Sequence, residues 1–411
     1  MLKFDIVTYK FYKFIRKIMS EYVKRTDYLD LLQEFRDAPG VTKVITGMRR
    51  CGKSTLMDQF EEELREGGVD QDHIFHMNFE TFEGQDIMSA DDLRRQLESL
   101  PRKGTVYIML DEIQNIDGWE MIVAALGTVK NFDVYITGSN SNMLSTDLAT
   151  HLSGRYIEIG MLPLSFKEYL ELHPGDPEKR FDQFLKYGGL PDANPDKGDR
   201  FCRGYLEGVF STVLVKDVLG RLRTDDIGKI KSIAKYLYSN IGNITNRTAI
   251  SEGTGLNMGT VERYVEAMEK ALLFYHADKY DIIGKKMLST NGKYYASDIG
   301  MRNMALAGMG TPDVGRSMEN VVYLELLRRG YDVRIGSYRD MEIDFTAVKG
   351  EEVEYYQVSK TMLSDDTRDR EMRPLKKVKD SFPKTVLTLD RFGLGTDDGI
   401  KTVNVIDWLL D

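Results

Sequence analysis

The sequence predicts an α/β protein whose first part is a parallel β-sheet covered by helices. Two observations support this prediction: short apolar runs alternate with helical periodicity up to about residue 165, and a glycine-rich loop follows the first run and opens a helix. Turn-forming residues cluster at 173–177 and at 188–198. Beyond them, residues from about 200 to 280 have a helical pattern, and a mixed segment of strands and helices closes the chain.

The composition is that of a globular chain in water, with 42% hydrophobic residues, 29% charged residues and a net charge of −9. The longest apolar runs fall far short of the ~20 residues that a membrane-spanning helix requires, so no membrane span is expected. The N-terminus lacks the uncharged core of a secretory signal, and two cysteines are too few for a disulfide framework, which predicts a cytoplasmic protein. The acidic balance argues against broad nonspecific affinity for nucleic acid, although a local basic surface remains open.

The first 25 residues are locally basic, with seven Lys or Arg side chains that end at Arg25. Two interpretations remain open: an amphipathic helix with a solvated charged face, or an arm that touches nucleic acid or membrane. We expect the first, because aromatic and aliphatic residues recur between the charges.

A phosphate-binding loop is predicted at residues 47–54, where GMRRCGKS matches G-x-x-x-x-G-K-[ST] between an apolar run and a helix. Glycines let such a loop wrap closely around phosphates, and the following helix directs its positive end at them. Lys53 is expected to reach the β- and γ-phosphates, and Ser54 to bind Mg²⁺. Cys51 is interpreted as a small residue that fits the loop, with a redox switch as the alternative. The nucleotide-binding residues predicted in this segment are Gly47, Met48, Arg49, Arg50, Cys51, Gly52, Lys53, Ser54 and Thr55.

Two adjacent carboxylates follow a later apolar run at 106–110. In a P-loop NTPase, Asp111 would hold the Mg²⁺ shell, and Glu112 would orient or deprotonate the attacking water. The alternative is a strand that ends in two solvated acids. Lys53 and Glu112 are therefore predicted catalytic residues, and Ser54 and Asp111 are the predicted metal ligands.

Polar residues at the end of the following strand could sense the γ-phosphate. The candidates are Thr137, Ser139 and Asn140, of which Ser139 is included among the predicted nucleotide-binding residues. Arg155 lies between a predicted helix and the strand at 156–159, where an arginine would project toward a neighbouring subunit and stabilise the transferred phosphoryl charge. Arg155 is a third predicted catalytic residue, and a surface salt bridge is the alternative.

Taken together, these segments resemble a known family. The strings GMRRCGKST, YIMLDEIQNIDGW, VYITGSNSNML, HLSGRYIEIGMLPLSFKEYL, YGGLPDA and YYASDIGMRN, followed by Glu319-Asn320, are similar in order to those of prokaryotic AAA-type ATPases that carry a C-terminal domain of unknown function. The resemblance extends over roughly residues 35–360. It implies an ASCE-type ATPase core, a winged-helix module and a C-terminal fold like that of restriction endonucleases. ATP is expected rather than GTP, because the sequence has no Asn-Lys-x-Asp base-reading motif.

This organisation divides the chain into five predicted segments. They are a basic amphipathic N-terminal helix at 1–37, an AAA-type P-loop NTPase core with a parallel sheet at 38–165, a helical lid or connector at 166–224, a winged-helix-like module at 225–312, and a small α/β nuclease-like domain at 313–411.

Residues 246–268 contain two short helical patterns around a glycine-containing turn, which predicts a helix-turn-helix. The second helix would present four side chains to a partner, namely Asn257, Thr260, Arg263 and Tyr264. It also carries acidic residues that would repel phosphate, so a structural or protein-contact role is favoured over DNA recognition, which stays open. Four lysines in the expected wing slightly favour DNA: Lys279, Lys285, Lys286 and Lys293.

The last hundred residues resemble the PD-(D/E)XK nucleases, in which a helix glutamate, a strand aspartate and an E-x-K pair together bind Mg²⁺ and orient water. Glu319 and Asp344 fit the first two positions, but the third position is Gln357, and the lysine falls one residue late at Lys360. Side chains alternate between the faces of a strand, so Lys360 should face away from Gln357. Glu319, Asp344 and Gln357 are therefore predicted to form a degenerate site used for binding or assembly, with active cleavage as the alternative.

The sequence predicts a Mg²⁺-dependent ATPase whose ATP-bound state promotes self-association as a homo-oligomer or engagement of a partner. ATP and Mg²⁺ are the expected cofactors, and DNA is an open partner. Two alternatives remain: an ATP-gated DNA nuclease, and a slow nucleotide switch that acts as a DNA-associated regulator.

Overall fold

The computed structural model describes residues 22–85, 87, 89–138, 152, 154–222, 226–306 and 313–411. Most of the helix predicted at 1–37 lies outside these residues. Inside them, helix α1 covers Thr26–Glu34. Among the described residues, no helix combines the length and the apolar character that a membrane crossing requires.

The first part of the molecule is a five-stranded sheet in which all neighbouring strands run parallel. Its strands are β1 (Thr42–Gly47), β2 (Ile74–Asn78), β3 (Val106–Asp111), β4 (Phe132–Gly138) and β5 (Tyr156–Met161), in the order β2-β3-β4-β1-β5. Strands β1, β3 and β4 are buried along their whole length. Strand β3 is apolar up to Asp111, whereas β1 and β4 each carry one buried charge, Lys43 and Asp133, which pair with each other. The predicted α/β fold with a parallel sheet is confirmed, and the carboxyl ends of these three strands meet at one edge.

Helices follow the strands of this sheet and pack against it. They are α2 (Lys53–Glu66), α3 (Phe82–Gln85), α4 (Ala90–Leu97) and α5 (Trp119–Leu126). Helix α2 begins directly at the end of the loop that follows β1. Its positive N-terminal end therefore faces the carboxyl edge of the sheet.

A helical region comes next. Its helices are α6 (Phe166–Leu172), α7 (Pro177–Tyr187), α8 (Asp199–Thr212), α9 (Ile227–Ser239), α10 (Arg247–Thr254) and α11 (Met258–Lys270). After α8 the chain continues as a π-helix, Val213–Leu219, and then as a short α-helix, Gly220–Leu222. Gly255, in the left-handed conformation, separates α10 from α11. Of the side chains predicted to face a partner, Tyr264 is instead buried in the core, because the inner face of α11 packs against α9.

The last part contains a nine-stranded mixed sheet. Its strands are β6 (Ile244–Thr245), β7 (Phe274–Asp281), β8 (Lys286–Ala296), β9 (Asp332–Tyr338), β10 (Met341–Lys349), β11 (Glu352–Ser359), β12 (Lys384–Thr388), β13 (Gly395–Asp397) and β14 (Ile400–Asn404). They follow the order β13-β14-β12-β11-β10-β9-β7-β8-β6. The helices are α12 (Ile299–Ala305), α13 (Val314–Arg328), α14 (Asp365–Lys377) and α15 (Val405–Leu410).

The nine-stranded sheet crosses the boundary predicted at residue 313. Strands β7 and β9 pair in parallel, with Lys279 opposite Ile335 and Asp281 opposite Ser337. The segments predicted as a winged helix and as a nuclease-like domain therefore share one sheet. Their fold assignments stay predictions. Strands β6 and β7 also interrupt the region predicted as helical up to about residue 280.

Two of the strings that carry the family resemblance, YGGLPDA and YYASDIGMRN, interlock through Asp298. Its buried carboxylate accepts hydrogen bonds from the backbone N–H groups of Gly189 (2.8 Å) and Met301 (2.9 Å). A Cβ on Gly188, which has φ +80°, would lie 2.3 Å from the Asp298 carboxylate oxygens, so only glycine fits there. Burial raises the pKa of Asp298 to about 6. This contact ties the loop after α7 to the start of α12.

Candidate nucleotide-binding site

The loop after β1 owes its shape to two glycines. A Cβ on Gly47 would lie 2.5 Å from the carbonyl oxygen of Met161 in β5, so any larger residue would push the loop away from the sheet. Gly52 has φ +107°, a conformation that side chains rarely adopt, and it caps the start of α2. The two glycines therefore hold the loop against the sheet and direct it into the helix.

Lys53 curls back over the loop. Its Nζ donates hydrogen bonds to the carbonyl oxygens of Gly47 (3.1 Å) and Met48 (3.3 Å) and lies 3.6 Å from Oε1 of Glu112. The side chain is almost fully buried. The ammonium group is therefore held at the mouth of the phosphate loop, next to the predicted catalytic carboxylate.

Asp111, at the end of β3, is fully buried and accepts several hydrogen bonds. Thr137 Oγ1 donates to Oδ1, Asn78 Nδ2 donates to Oδ2, and the Ser54 side chain also hydrogen-bonds the carboxylate. Burial raises the pKa of Asp111, and the hydrogen bonds from Ser54 and Thr137 oppose this shift. The two predicted metal ligands, Ser54 and Asp111, are therefore in contact. Asn78 was not predicted, because it ends a strand without a recognisable motif.

Glu112 leaves β3 in the left-handed conformation, with φ +56°. Its backbone N–H donates to Thr137 Oγ1 (2.9 Å), and Gln114 Nε2 donates to its carboxylate. The turn directs the carboxylate toward Lys53 instead of along the strand. Of the three predicted sensor residues, Thr137 lies at the site, where it holds Asp111 and Glu112. Ser139 and Asn140 lie outside the described residues.

The phosphate loop is supported from behind by Arg25. Its Nη1 donates to the carbonyl oxygen of Cys51 (3.1 Å), Nη2 donates to that of Leu162 (2.9 Å), and Nε donates to Glu168 (2.7 Å). The expectation that Arg25 belongs to a solvated face was wrong: the side chain is buried because it connects these three partners. Cys51 is also buried, and burial raises its pKa, as suits a small packing residue.

Arg49, the third residue of the loop, pairs with a residue that the sequence did not indicate. Its Nε and Nη2 donate to the two carboxylate oxygens of Asp217 (3.2 and 3.3 Å), and Nη1 donates to Glu80 (3.1 Å). Asp217 lies in the π-helix Val213–Leu219 and is buried. Burial raises the pKa of Asp217, and Arg49 opposes this shift.

Arg155 is exposed and lies at the edge of the sheet opposite the phosphate loop. Its carbonyl oxygen accepts a hydrogen bond from the N–H of Thr42 (3.0 Å), the first residue of β1. At roughly 3.3 Å per residue, the length of β1 separates the Arg155 backbone from the loop by about 17 Å. We therefore expect no contact between Arg155 and its own loop, and its role in a neighbouring copy stays a prediction.

The predicted nuclease-like residues gather around Lys293 of β8. Its Nζ lies 3.0 Å from Glu319, 2.8 Å from Glu342 and 3.8 Å from Asp344, and its side chain is buried. Tyr295 Oη donates a further hydrogen bond to Glu319 (2.8 Å). Lys293, which was predicted to lie in the wing of a winged helix, therefore provides the positive charge of this cluster.

Gln357 adjoins the same cluster through Asp344. Its Oε1 accepts from the Asp344 N–H (3.3 Å), and its Nε2 donates to Glu371 of α14 (2.9 Å). The Asp344 carboxylate accepts from the N–H of Val358 (2.9 Å), and burial together with the charge of Glu319 raises the pKa of Asp344 to about 8. Lys360 is exposed. The structure thus brings Glu319, Asp344 and Gln357 together, but around an ammonium group.

Two families match parts of the chain. Residues 41–170 match a family described as an AAA domain, and residues 178–313 match a domain of unknown function (DUF8612). The first match covers the parallel sheet and the phosphate loop, and it agrees with the site geometry described above.

Two relatives match nearly the whole chain. An uncharacterized protein of Haemophilus influenzae is 38% identical over 400 residues, which cover 94% of this chain and 98% of the relative. An uncharacterized protein of Methanocaldococcus jannaschii is 29% identical over 420 residues, which cover 94% of this chain and 89% of the relative.

Solved structures align only weakly. A STAND signal-transduction ATPase with a tetratricopeptide repeat sensor from Pyrococcus horikoshii aligns at 13% identity and a TM-score of 0.30, over 75% of this chain and 45% of that one, so this chain spans less than half its length. AMPPCP-bound DnaA of Aquifex aeolicus aligns at 15% identity and a TM-score of 0.32, over 60% and 88% of the two chains. These scores are too low to show a shared architecture. By its sequence relatives, the chain belongs to the same family as the uncharacterized Haemophilus influenzae protein, and its N-terminal part is an AAA-type P-loop domain.

Proposed function

We propose that the protein is a Mg²⁺-dependent ATPase of AAA type. The observation that carries the proposal is the convergence of Lys53, Glu112 and the Ser54–Asp111 pair at one edge of the parallel sheet, beside the phosphate loop. In P-loop NTPases, residues of these types bind the phosphates and the metal and position the attacking water.

Each side chain is placed for one task. Lys53 Nζ would exchange its two loop carbonyls for oxygens of the β- and γ-phosphates, which carry full charge. The Glu112 carboxylate, 3.6 Å from Nζ, would orient a water toward the γ-phosphate and accept its proton. Thr137 keeps both carboxylate residues in place, because its hydroxyl group bonds the Asp111 side chain and the Glu112 backbone.

The Ser54–Asp111 pair fits Mg²⁺. The ion prefers hard oxygen ligands and keeps several waters, and a hydroxyl oxygen in contact with a carboxylate offers two such ligands at one point. When bound, the ion would neutralise charge that develops on the β- and γ-phosphates. The hydrogen bonds from Asn78 and Thr137 would fix the orientation of the Asp111 carboxylate.

The first test separates binding from hydrolysis. The full-length protein is titrated with fluorescent ATP and ADP, and phosphate release is measured with and without Mg²⁺. We expect saturable binding, Mg²⁺-dependent turnover, and loss of both in Lys53→Ala; Lys130→Ala, an exposed lysine of the same domain, should behave as wild type. Lys53→Ala with wild-type turnover would contradict the proposal. Binding without turnover would favour the slow switch.

The proposal extends to self-association, in which Arg155 acts in a neighbouring copy. Its exposure beside the edge strand β5, away from its own loop, supports this role. Specific activity should then rise with protein concentration as an oligomer appears by mass photometry, and Arg155→Ala should remove the rise. Mixing Arg155→Ala with Lys53→Ala should restore activity, since the second variant supplies the arginine and the first an intact site. A monomer whose specific activity equals that of the oligomer would contradict a role for Arg155 in a neighbouring copy.

An ATP-gated DNA nuclease is the second candidate, because Glu319 and Asp344 lie together as that pattern requires. Lys293 among the carboxylates and the neutral Gln357 argue against it, since both weaken a metal site. Duplex, branched and single-stranded DNA are incubated with the protein and Mg²⁺ or Mn²⁺. Cleavage that is lost in Asp344→Ala would favour the nuclease, and uncut DNA would oppose it.

A further inference from the structure

Two carboxylates with different surroundings hold Arg49 of the phosphate loop. Asp217 faces the Nε and Nη2 side of the guanidinium group, and Glu80 binds Nη1. The side chain of Asp217 is 3% exposed, whereas that of Glu80 is 43% exposed. One partner is therefore fixed in the protein interior, and the other lies where a solute can replace it.

The Arg49–Asp217 pair adjoins the catalytic end of the loop. The Asp217 carboxylate is close enough to interact electrostatically with both Lys53 and Glu112. These two residues are expected to meet the γ-phosphate and the attacking water. A phosphate held by Lys53 would therefore be within electrostatic reach of the Arg49–Asp217 pair.

We propose that Arg49 binds the terminal phosphate of ATP and that Asp217 is its positioning residue. Phosphate oxygens match the guanidinium fork and carry more charge than a carboxylate, so the terminal phosphate displaces the exposed Glu80 from Nη1. Asp217 stays, because its departure would leave a buried charge without this partner. This inference rests on the proposed ATPase function.

The π-helix Val213–Leu219 fixes the position of Asp217 in the Arg49–Asp217 pair. Val213, Leu214 and Val218 pack into the core around Asp217, so the position of the carboxylate depends on the whole segment. Helices of this type are rare and occur often at functional sites. The contact that distinguishes ATP from ADP would then depend on Asp217, which belongs to the helical region and lies 168 residues from Arg49 in sequence.

The experiment compares the affinities of the full-length protein for ADP and for a non-hydrolysable ATP analogue, with Mg²⁺, by competition against fluorescent ADP. We expect Arg49→Gln to lower the preference for the ATP analogue about tenfold, because a charge-assisted contact to the terminal phosphate is lost. Asp217→Asn should lower it about fivefold. The double variant should equal Arg49→Gln, since Asp217 acts through Arg49. ADP affinity should stay within about twofold throughout, which a variant that failed to fold could not show.

Two further variants sharpen the test. Glu80→Gln should raise the affinity for the ATP analogue, because it removes the competing carboxylate. Lys216→Gln, an exposed neighbour of Asp217 in the same π-helix, should leave both affinities unchanged. If Asp217→Asn keeps the full ATP preference, or lowers it equally in the Arg49→Gln background, the positioning role is wrong. If Arg49→Gln alone keeps that preference, the contact to the terminal phosphate is wrong. If wild type binds neither nucleotide, the proposed function itself fails.

Discussion

Two of the buried lysines, one in each half of the molecule, lie beside acidic residues but have different partners. Lys53 and Lys293 have 3% and 4% of their side chains exposed. Lys53 bonds two loop carbonyls and approaches one carboxylate at 3.6 Å. Lys293 lies within 4 Å of three carboxylates, those of Glu319, Glu342 and Asp344.

The difference in partners indicates which of the two clusters can bind a negatively charged ligand. The carbonyl partners of Lys53 carry only partial charge, so a phosphate can replace them. Burial by itself would lower the pKa of Lys293, but the carboxylates of Glu319, Asp344 and Glu342 raise it above its ordinary value. The charge of Lys293 is therefore balanced within the protein. We interpret the first cluster as a site and the second as a structural element.

The largest effect is expected at the first cluster. Glu112→Gln removes the proton acceptor but keeps the side-chain shape, so hydrolysis should fall about 10³-fold, within the range for loss of a general base. Binding of ATP should change less than about twofold, because the phosphate contacts of Lys53 remain. Single-turnover phosphate release and equilibrium titration measure the two quantities. Asp117→Asn, an exposed carboxylate nearby, serves as the control. Hydrolysis at the parent rate in Glu112→Gln would remove Glu112 from the mechanism.

The next effect compares the two lysines directly. Lys293→Met leaves three carboxylates without their shared ammonium group, and the free energy of unfolding should drop by about 3 kcal/mol. Lys53→Met should cost about 1 kcal/mol or less, because only one carboxylate loses a partner. Urea unfolding at neutral pH gives both values. Equal losses of unfolding free energy would show that Lys53 is as fully paired in the absence of ligand as Lys293 is, which would contradict the comparison.

The sequence predicted the first cluster better than the second for a physical reason. The loop at 47–54 and the pair Asp111–Glu112 are local motifs at the ends of buried strands, and parallel pairing brings them together. Lys293 belongs to another strand of a sheet whose order does not follow the chain, so spacing around Gln357 indicated the wrong lysine.

Long-range partners of the nucleotide site were missed in the same way. Arg25 and Asp217 contact the loop from distant segments, and neither lies in a motif. Asp217 is also part of a π-helix, whose wider turn changes the face that each residue occupies and so escapes a periodicity of 3.6. The parallel sheet could be predicted because short, mainly apolar stretches alternate with helical patterns along the chain. The order of the nine-stranded sheet could not be predicted, because strands from both sides of a predicted domain boundary pair with one another in it.

The smallest effect concerns the pH dependence of the second cluster. Burial and Glu319 raise the pKa of Asp344 from 3.8 to about 8, so the folded protein holds a proton that the unfolded chain releases between these values. The contribution of Asp344 to stability is therefore complete below about pH 4 and is lost as pH rises toward 8.

Asp344→Asn mimics the protonated carboxyl group and should lack this contribution to the pH dependence. The difference in unfolding free energy between wild type and Asp344→Asn, measured by urea titration from pH 5 to 8, should therefore shift steadily in favour of the variant. The substitution Asp340→Asn serves as the matched control, because the carboxyl group of Asp340 is exposed and lies in the turn between β9 and β10, outside the cluster. Parallel curves for wild type and Asp344→Asn would mean that Asp344 is already ionised at pH 5. Lys293 would then balance three full negative charges, and the second cluster would have the charge to attract a metal ion after all.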